Sequence, residues 1–190
     1  MVNNNMSRGL FWRVLSLSKQ IFSFIAFIFL PLSHNAFAQS VENRYRSHID
    51  ANGTTFFICP KQIGGTVNVN EFVYDMTYHT SADSVILNFT IISDRPRKVN
   101  TLILSCGDTR YVGESVKPMF ADIRGRKYEI RTTSRFSLKD ICEVFSHKEA
   151  LSFQMSLDNG VEASATYSSS KWKKDANLIS RIFDLIIFQR

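Results

Sequence analysis

Before Glu42 this 190-residue chain contains no carboxylate, and it has only three cysteines, four histidines and four prolines in all. Each shortage excludes a class of chemistry. No Cys-x-x-Cys, His-x-His or His-Glu-x-x-His occurs, so a zinc site would have to be assembled from residues far apart in the chain. No glycine-rich phosphate loop is present, and no cofactor is expected. Helix-turn-helix, zinc-finger and RNA-binding signatures are missing, as are internal repeats and low-complexity linkers.

The acid-free opening has a character of its own. Arg8, Arg13 and Lys19 make it positive, and residues 21–32 form an apolar run interrupted only by Ser23 and Pro31. Ala36-Phe37-Ala38 follows, with small residues flanking an exit point that would leave Gln39 as the new N-terminus. Charge, short apolar core and small-x-small exit define a cleavable secretory signal peptide over residues 1–38. A membrane-spanning helix needs roughly 20 apolar residues, whereas this core holds about a dozen, the length of a signal-peptide core. Export to a periplasmic or secreted location is therefore expected. No cysteine sits at the cut for lipid attachment.

What remains after Ala38 fits a single domain with a real core. Three of the 23 basic residues leave with the leader, so 20 face 17 acids and the charge falls from +6 to +3. That mild excess argues against nucleic acid as a partner. Residues 39–53 are polar and mixed in charge, and read as a flexible lead-in to a domain over residues 54–190.

Within that domain the dominant period is two. Phe72, Tyr74, Met76 and Tyr78 alternate with polar or smaller residues, Ser81-Ala82-Asp83 breaks the run, and Val85, Leu87, Phe89 and Ile91 resume it. Two alternating runs about a short polar turn predict a hairpin. Further strands are expected over residues 54–58, 66–69, 99–105, 127–133, 151–157 and 161–167, the last two joined by Asn159-Gly160. Pro118 demotes residues 116–120 to an edge strand or loop. Ser137 with Asp140 opens a short helix ending near His147, and residues 171–189 carry a one-sided apolar stripe through Trp172, Ile179, Phe183 and Ile186. The fold class is α+β, mainly β. An antiparallel sheet or sandwich of about seven short strands carries one short internal helix, with a C-terminal amphipathic helix packed on the sheet.

Cys142 lies on the apolar stripe of the short helix and reads as a small buried apolar side chain. Cys59 and Cys106 each end a strand-like run, and in an oxidising compartment they are the expected disulfide pair.

The sequence names no reaction. His48, His79 and His147 are the histidines after the leader, and none shows a nucleophile and an acid at a spacing that implies a triad. Two weak binding features stand out instead. Arg95, Arg97 and Lys98 crowd one turn, and Arg124, Arg126 and Lys127 another. Brought together they would suit an anionic envelope component or an acidic exported protein. The plainer reading is a solvated rim balanced by Asp94, Asp122 and Glu129. Residues 171–190, with Trp172 and flanking lysines, could instead touch a membrane, although covering the sheet is the more economical use of that stripe. The leading expectation is a non-enzymatic exported binding or accessory protein. The runner-up is a small secreted hydrolase whose site is gathered from distant residues.

Overall fold

The computed structural model describes Val41 and residues 43–188. The expected leader, residues 1–38, lies outside them. The chain divides into two compact units, Met1–Asn43 and Arg44–Arg190, and the fold below is that of the second.

It is mostly strand. In chain order come β1 (Tyr45–Asp50), β2 (Gly53–Val67), β3 (Glu71–His79), β4 (Ser84–Ser93), β5 (Val99–Cys106) and β6 (Thr109–Val112). Then follow β7 (Glu114–Arg124), β8 (Lys127–Ser137), the helix α1 (Leu138–Ser146), β9 (Leu151–Leu157) and β10 (Glu162–Thr166). A 20-residue helix, α2 (Ser169–Phe188), closes the unit. Hydrogen-bonded neighbours run β6-β5-β9-β10-β2-β3-β4-β8-β7, with β1 also on β2, and all pairs are antiparallel. The α+β, mainly β class expected from the sequence is the one observed, as two antiparallel sheets with α2 packed on them.

The period of two explains the core. Register places Phe72 opposite Ile91, Tyr74 opposite Phe89 and Met76 opposite Leu87. One face of the β3–β4 hairpin is therefore wholly apolar, and all six side chains are buried. From the other sheet, Phe153 of β9 brings its ring centroid to 4.6 Å from Phe72 and 4.9 Å from Tyr74. Offset rings at that spacing add to the area they remove from water. The opposite face is polar: Asn88 donates to Asp75 at 2.9 Å, and Arg131 of β8 pairs with Asp75 at 2.6 Å.

Two junctions let the chain pass between sheets. β2 is one long strand that bulges between Ile58 and Lys61, pairing with β1 along its first half and β10 near its end. Cys59-Pro60 sits in that bulge, where proline's missing N–H does no harm. At Gly113 the chain leaves β6, beside β5, for β7, beside β8, and the Gly113 N–H donates to the Leu102 carbonyl at 2.8 Å. A Cβ there would meet Ser134 and stand 2.7 Å from the Phe136 ring.

The first helix begins as the sequence suggests, and the last starts at Ser169, two residues ahead of the expected Lys171. The Ser137 hydroxyl accepts the Asp140 N–H at 3.0 Å and caps α1. α2 buries Trp172, Ala176, Ile179, Ile182, Phe183 and Ile186. At about 1.5–3 kcal/mol for a large apolar side chain, Ile179, Ile182, Phe183 and Ile186 alone account for roughly 6–12 kcal/mol. A whole domain is typically stable by about 5–15 kcal/mol, so α2 belongs to the core. Its buried stripe is spent inside the unit, while Leu185, Ile187 and Phe188 near its end are exposed.

Four expectations need correction. Among the described residues ten strands form, not about seven, and β1 occupies residues assigned to the flexible lead-in. Cys59 and Cys106 are not bonded. Two strands, β10 and β9, separate β2 from β5. Three interstrand steps of ~4.8 Å make about 14 Å, beyond the ~7 Å Cα limit for a disulfide. Cys142 is half-buried, because α1 turns Ile141, Val144 and Phe145 inward.

Candidate functional site

α1 ends at His147, and α2 crosses close to that end. The Trp172 indole N–H donates to the His147 carbonyl at 3.1 Å, and the Phe145 and Trp172 rings lie 5.5 Å apart. Between the two helices a cleft of about 680 Å³ remains, within the roughly 300–1,000 Å³ range of small-molecule sites. Its floor is apolar, formed by Phe145, Trp172 and Ala176. Its walls carry Lys148, Lys173 and Arg181, together with the polar groups of Ser146, Ser169, Asn177 and Ser180. Among the described residues, no carboxylate lines it.

Helix geometry explains the cationic wall. Lys173, Asn177 and Arg181 are spaced by four residues, so they stand in one row along α2 beside the buried stripe. Lys148 comes from the turn after α1. An apolar floor under a one-signed rim concentrates field where water is partly excluded, which favours an anion with an apolar body.

His147 shares the cleft and is held from two sides. Its Nε2 is 3.0 Å from the Tyr111 hydroxyl, and its Nδ1 is 3.7 Å from Glu149. Burial, aided by the neighbouring Glu143 carboxylate, pushes Tyr111 up to about 12. Burial and the Glu149 charge push the Cys106 thiol up to about 11, and that thiol points at the Val144 carbonyl, 3.9 Å away. Cys106 is thus a protonated thiol in this setting, the wrong state for a nucleophile. Ser146 donates to the Glu143 carbonyl at 2.7 Å. The other histidines lie elsewhere: His48 is exposed on β1, and His79 binds Ser81 at 2.7 Å beside the β3–β4 turn. Among the described residues, no group of three or more metal-ligating side chains gathers.

The two basic turns singled out from sequence do come to one end of the sheet. Ser93, the last residue of β4, is opposite Tyr128, so residues 94–98 adjoin the β7–β8 turn. Arg95, Lys98, Arg126 and Lys127 are exposed there. Arg97 lies 3.8 Å from Asp158, and Arg124 lies 4.0 Å from Glu129. The Arg124 pair, with the arginine exposed, contributes little, whereas the Asp158 oxygen facing Arg97 is buried. This end is separate from the cleft, whose lining residues all belong to α1, α2 and the segments beside them.

The sequence reading took residues 171–189 as a one-sided helix and missed the cleft beside it. The eight-residue spacing of Lys173 and Arg181, two turns apart on one face, was the available signal, but nothing in it says which helix stands opposite. The chain is an α+β domain dominated by antiparallel strands. No family model, curated protein or solved structure matches it.

Proposed function

We propose that this is a non-enzymatic binding protein, exported on the leader at residues 1–38, that takes an amphiphilic anion of the envelope or extracellular space into the cleft between α1 and α2. The observation that carries the reading is the lining itself: Lys148, Lys173 and Arg181 over Trp172 and Phe145, with no carboxylate among them. The surroundings of His147 support binding over catalysis. Its two ring nitrogens face Tyr111 and Glu149, and the nearby Cys106 thiol is held protonated. The leader's three-part pattern supports export.

Trp172 offers a direct test. The chain has two tryptophans, and Trp12 lies within residues 1–38, so protein lacking that leader keeps Trp172 as its sole indole emitter. Octyl phosphate added below its aggregation threshold should shift that emission in a saturable way, and octyl glucoside should not. Equal responses to the charged and neutral amphiphiles would refute the reading.

A further inference from the structure

The two edges of the sheet that runs β1-β2-β3-β4-β8-β7 are built differently. β7 is defended against strand addition. Pro118 offers no N–H, the register with β8 shifts twice, and Ser115 holds a positive φ of 52°. β1 has none of these devices. Tyr45–Asp50 contains no proline or glycine, its register on β2 is unbroken, and Arg46 to Asp50 are exposed. Among the described residues β1 pairs with β2 alone.

The backbone shows which groups the open side offers. The Cys59 N–H donates to the Arg44 carbonyl at 2.8 Å. Along an antiparallel ladder, hydrogen-bonded pairs alternate with non-hydrogen-bonded ones. Arg46, His48 and Asp50 keep step with Arg44 and bond to β2, so the N–H and C=O groups of Tyr45, Ser47 and Ile49 point outward. An added strand must bond to those three.

Charges on an edge ordinarily keep other strands away. In β1 they stand with opposite sign on either side of His48, which makes the strand complementary to itself. Consider a second copy laid antiparallel with His48 opposite His48. Ser47 of each chain then exchanges main-chain bonds with Ile49 of the other, as the outward groups require. Arg46 of each chain faces Asp50 of the other at non-hydrogen-bonded positions, where side chains stand closest. Asp50 has one oxygen engaged by the Asn52 N–H at 2.7 Å, which leaves the second for the arginine. Between the two neutral His48 rings, one can donate to the other. Ile49, 77% exposed in the single chain, lies diagonally across from Tyr45 and Ile49 of the copy, within reach of both. Slipping the pair by two residues sets Arg46 against His48 or Asn52 instead, and a slip of one mismatches the backbone groups. We infer that β1 joins a second copy of this chain edge to edge, continuing the sheet across a two-fold axis at His48.

Sedimentation velocity from roughly 1 to 200 µM tests this, on the whole chain and on the chain lacking residues 1–38. One short strand is a small interface, so a dimer of micromolar affinity is expected in both. Arg46→Asp and Asp50→Arg each set like charges opposite one another, and each should weaken the dimer about tenfold. Mixing the two variants should restore it, because one edge is then acidic and the other basic. Ser47→Pro removes an N–H that faces outward, leaves the bonds to β2 in place, and should abolish association. All three variants should unfold thermally like the parent. A parent that stays monomeric throughout would overturn the inference and leave the edge to a different chain. So would a dimer that needs residues 1–38, one that persists in Ser47→Pro, or charge variants that fail to associate when mixed.

Discussion

The Lys61 ammonium of β2 lies 2.7 Å from the Asp175 carboxylate of α2, and the two side chains are only 12% and 9% exposed. This pair fastens the last helix to the strand that joins both sheets, beside the buried Tyr74–Tyr167 hydroxyl contact of 2.8 Å. Removing one member leaves the other charge buried without its counter-ion. Asp175→Ala should therefore cost about 3 kcal/mol in urea unfolding, and the paired Lys61→Met/Asp175→Leu variant should recover most of that loss. Equal losses in the single and double variants would show that the pair contributes packing alone.

Gly113 marks the crossing between sheets. An added methyl would press on Ser134 and Phe136, both on β8. Gly113→Ala should lower stability by about 2 kcal/mol, the usual range for overpacking. Gly64 has open space around its Cβ direction, so Gly64→Ala should stay within about 0.5 kcal/mol of the parent. Similar unfolding midpoints for the two variants would contradict the close crossing.

Much of this fold was legible in the sequence, for a specific reason. In β3 and β4 the buried face is apolar and the other polar, so Phe72 through Ile91 announce themselves by period. β1 does not, because Arg46, Ser47 and His48 ride on the edge of β2 by backbone bonds and bury nothing. β2 looked like two strands because Cys59-Pro60 resembles a stop, yet a bulge absorbs it. The cleft was hidden more deeply. Lys148 and Lys173 are 25 positions apart, and only the packing of α2 against the end of α1 gives them a common wall.

Alkaline pH should weaken the fold through Cys106. The thiol ionises near 9.0 when exposed and at about 11 when folded, so the folded state favours the protonated form. Its contribution is complete below pH 9 and is lost as pH rises toward 11. Stability measured from pH 8 to 11 should fall less steeply in Cys106→Ala than in the parent. Parallel slopes would mean that the thiol is not shielded.

None of the three thiols should be held in a disulfide. Cys59, Cys106 and Cys142 carry no disulfide, so protein denatured without reductant should react with three equivalents of a thiol reagent. A single equivalent would restore the crosslink between β2 and β5 that the strand order separates.

The cleft itself is best judged by calorimetry with octyl phosphate on the parent chain and on Lys148→Glu/Lys173→Glu, both at exposed positions. The reading of the cleft as an anion site predicts saturable one-to-one binding that weakens with salt and drops at least about tenfold in the charge-reversed pair. Undiminished affinity in that pair, with folding intact, would show that the cations between α1 and α2 hold no ligand.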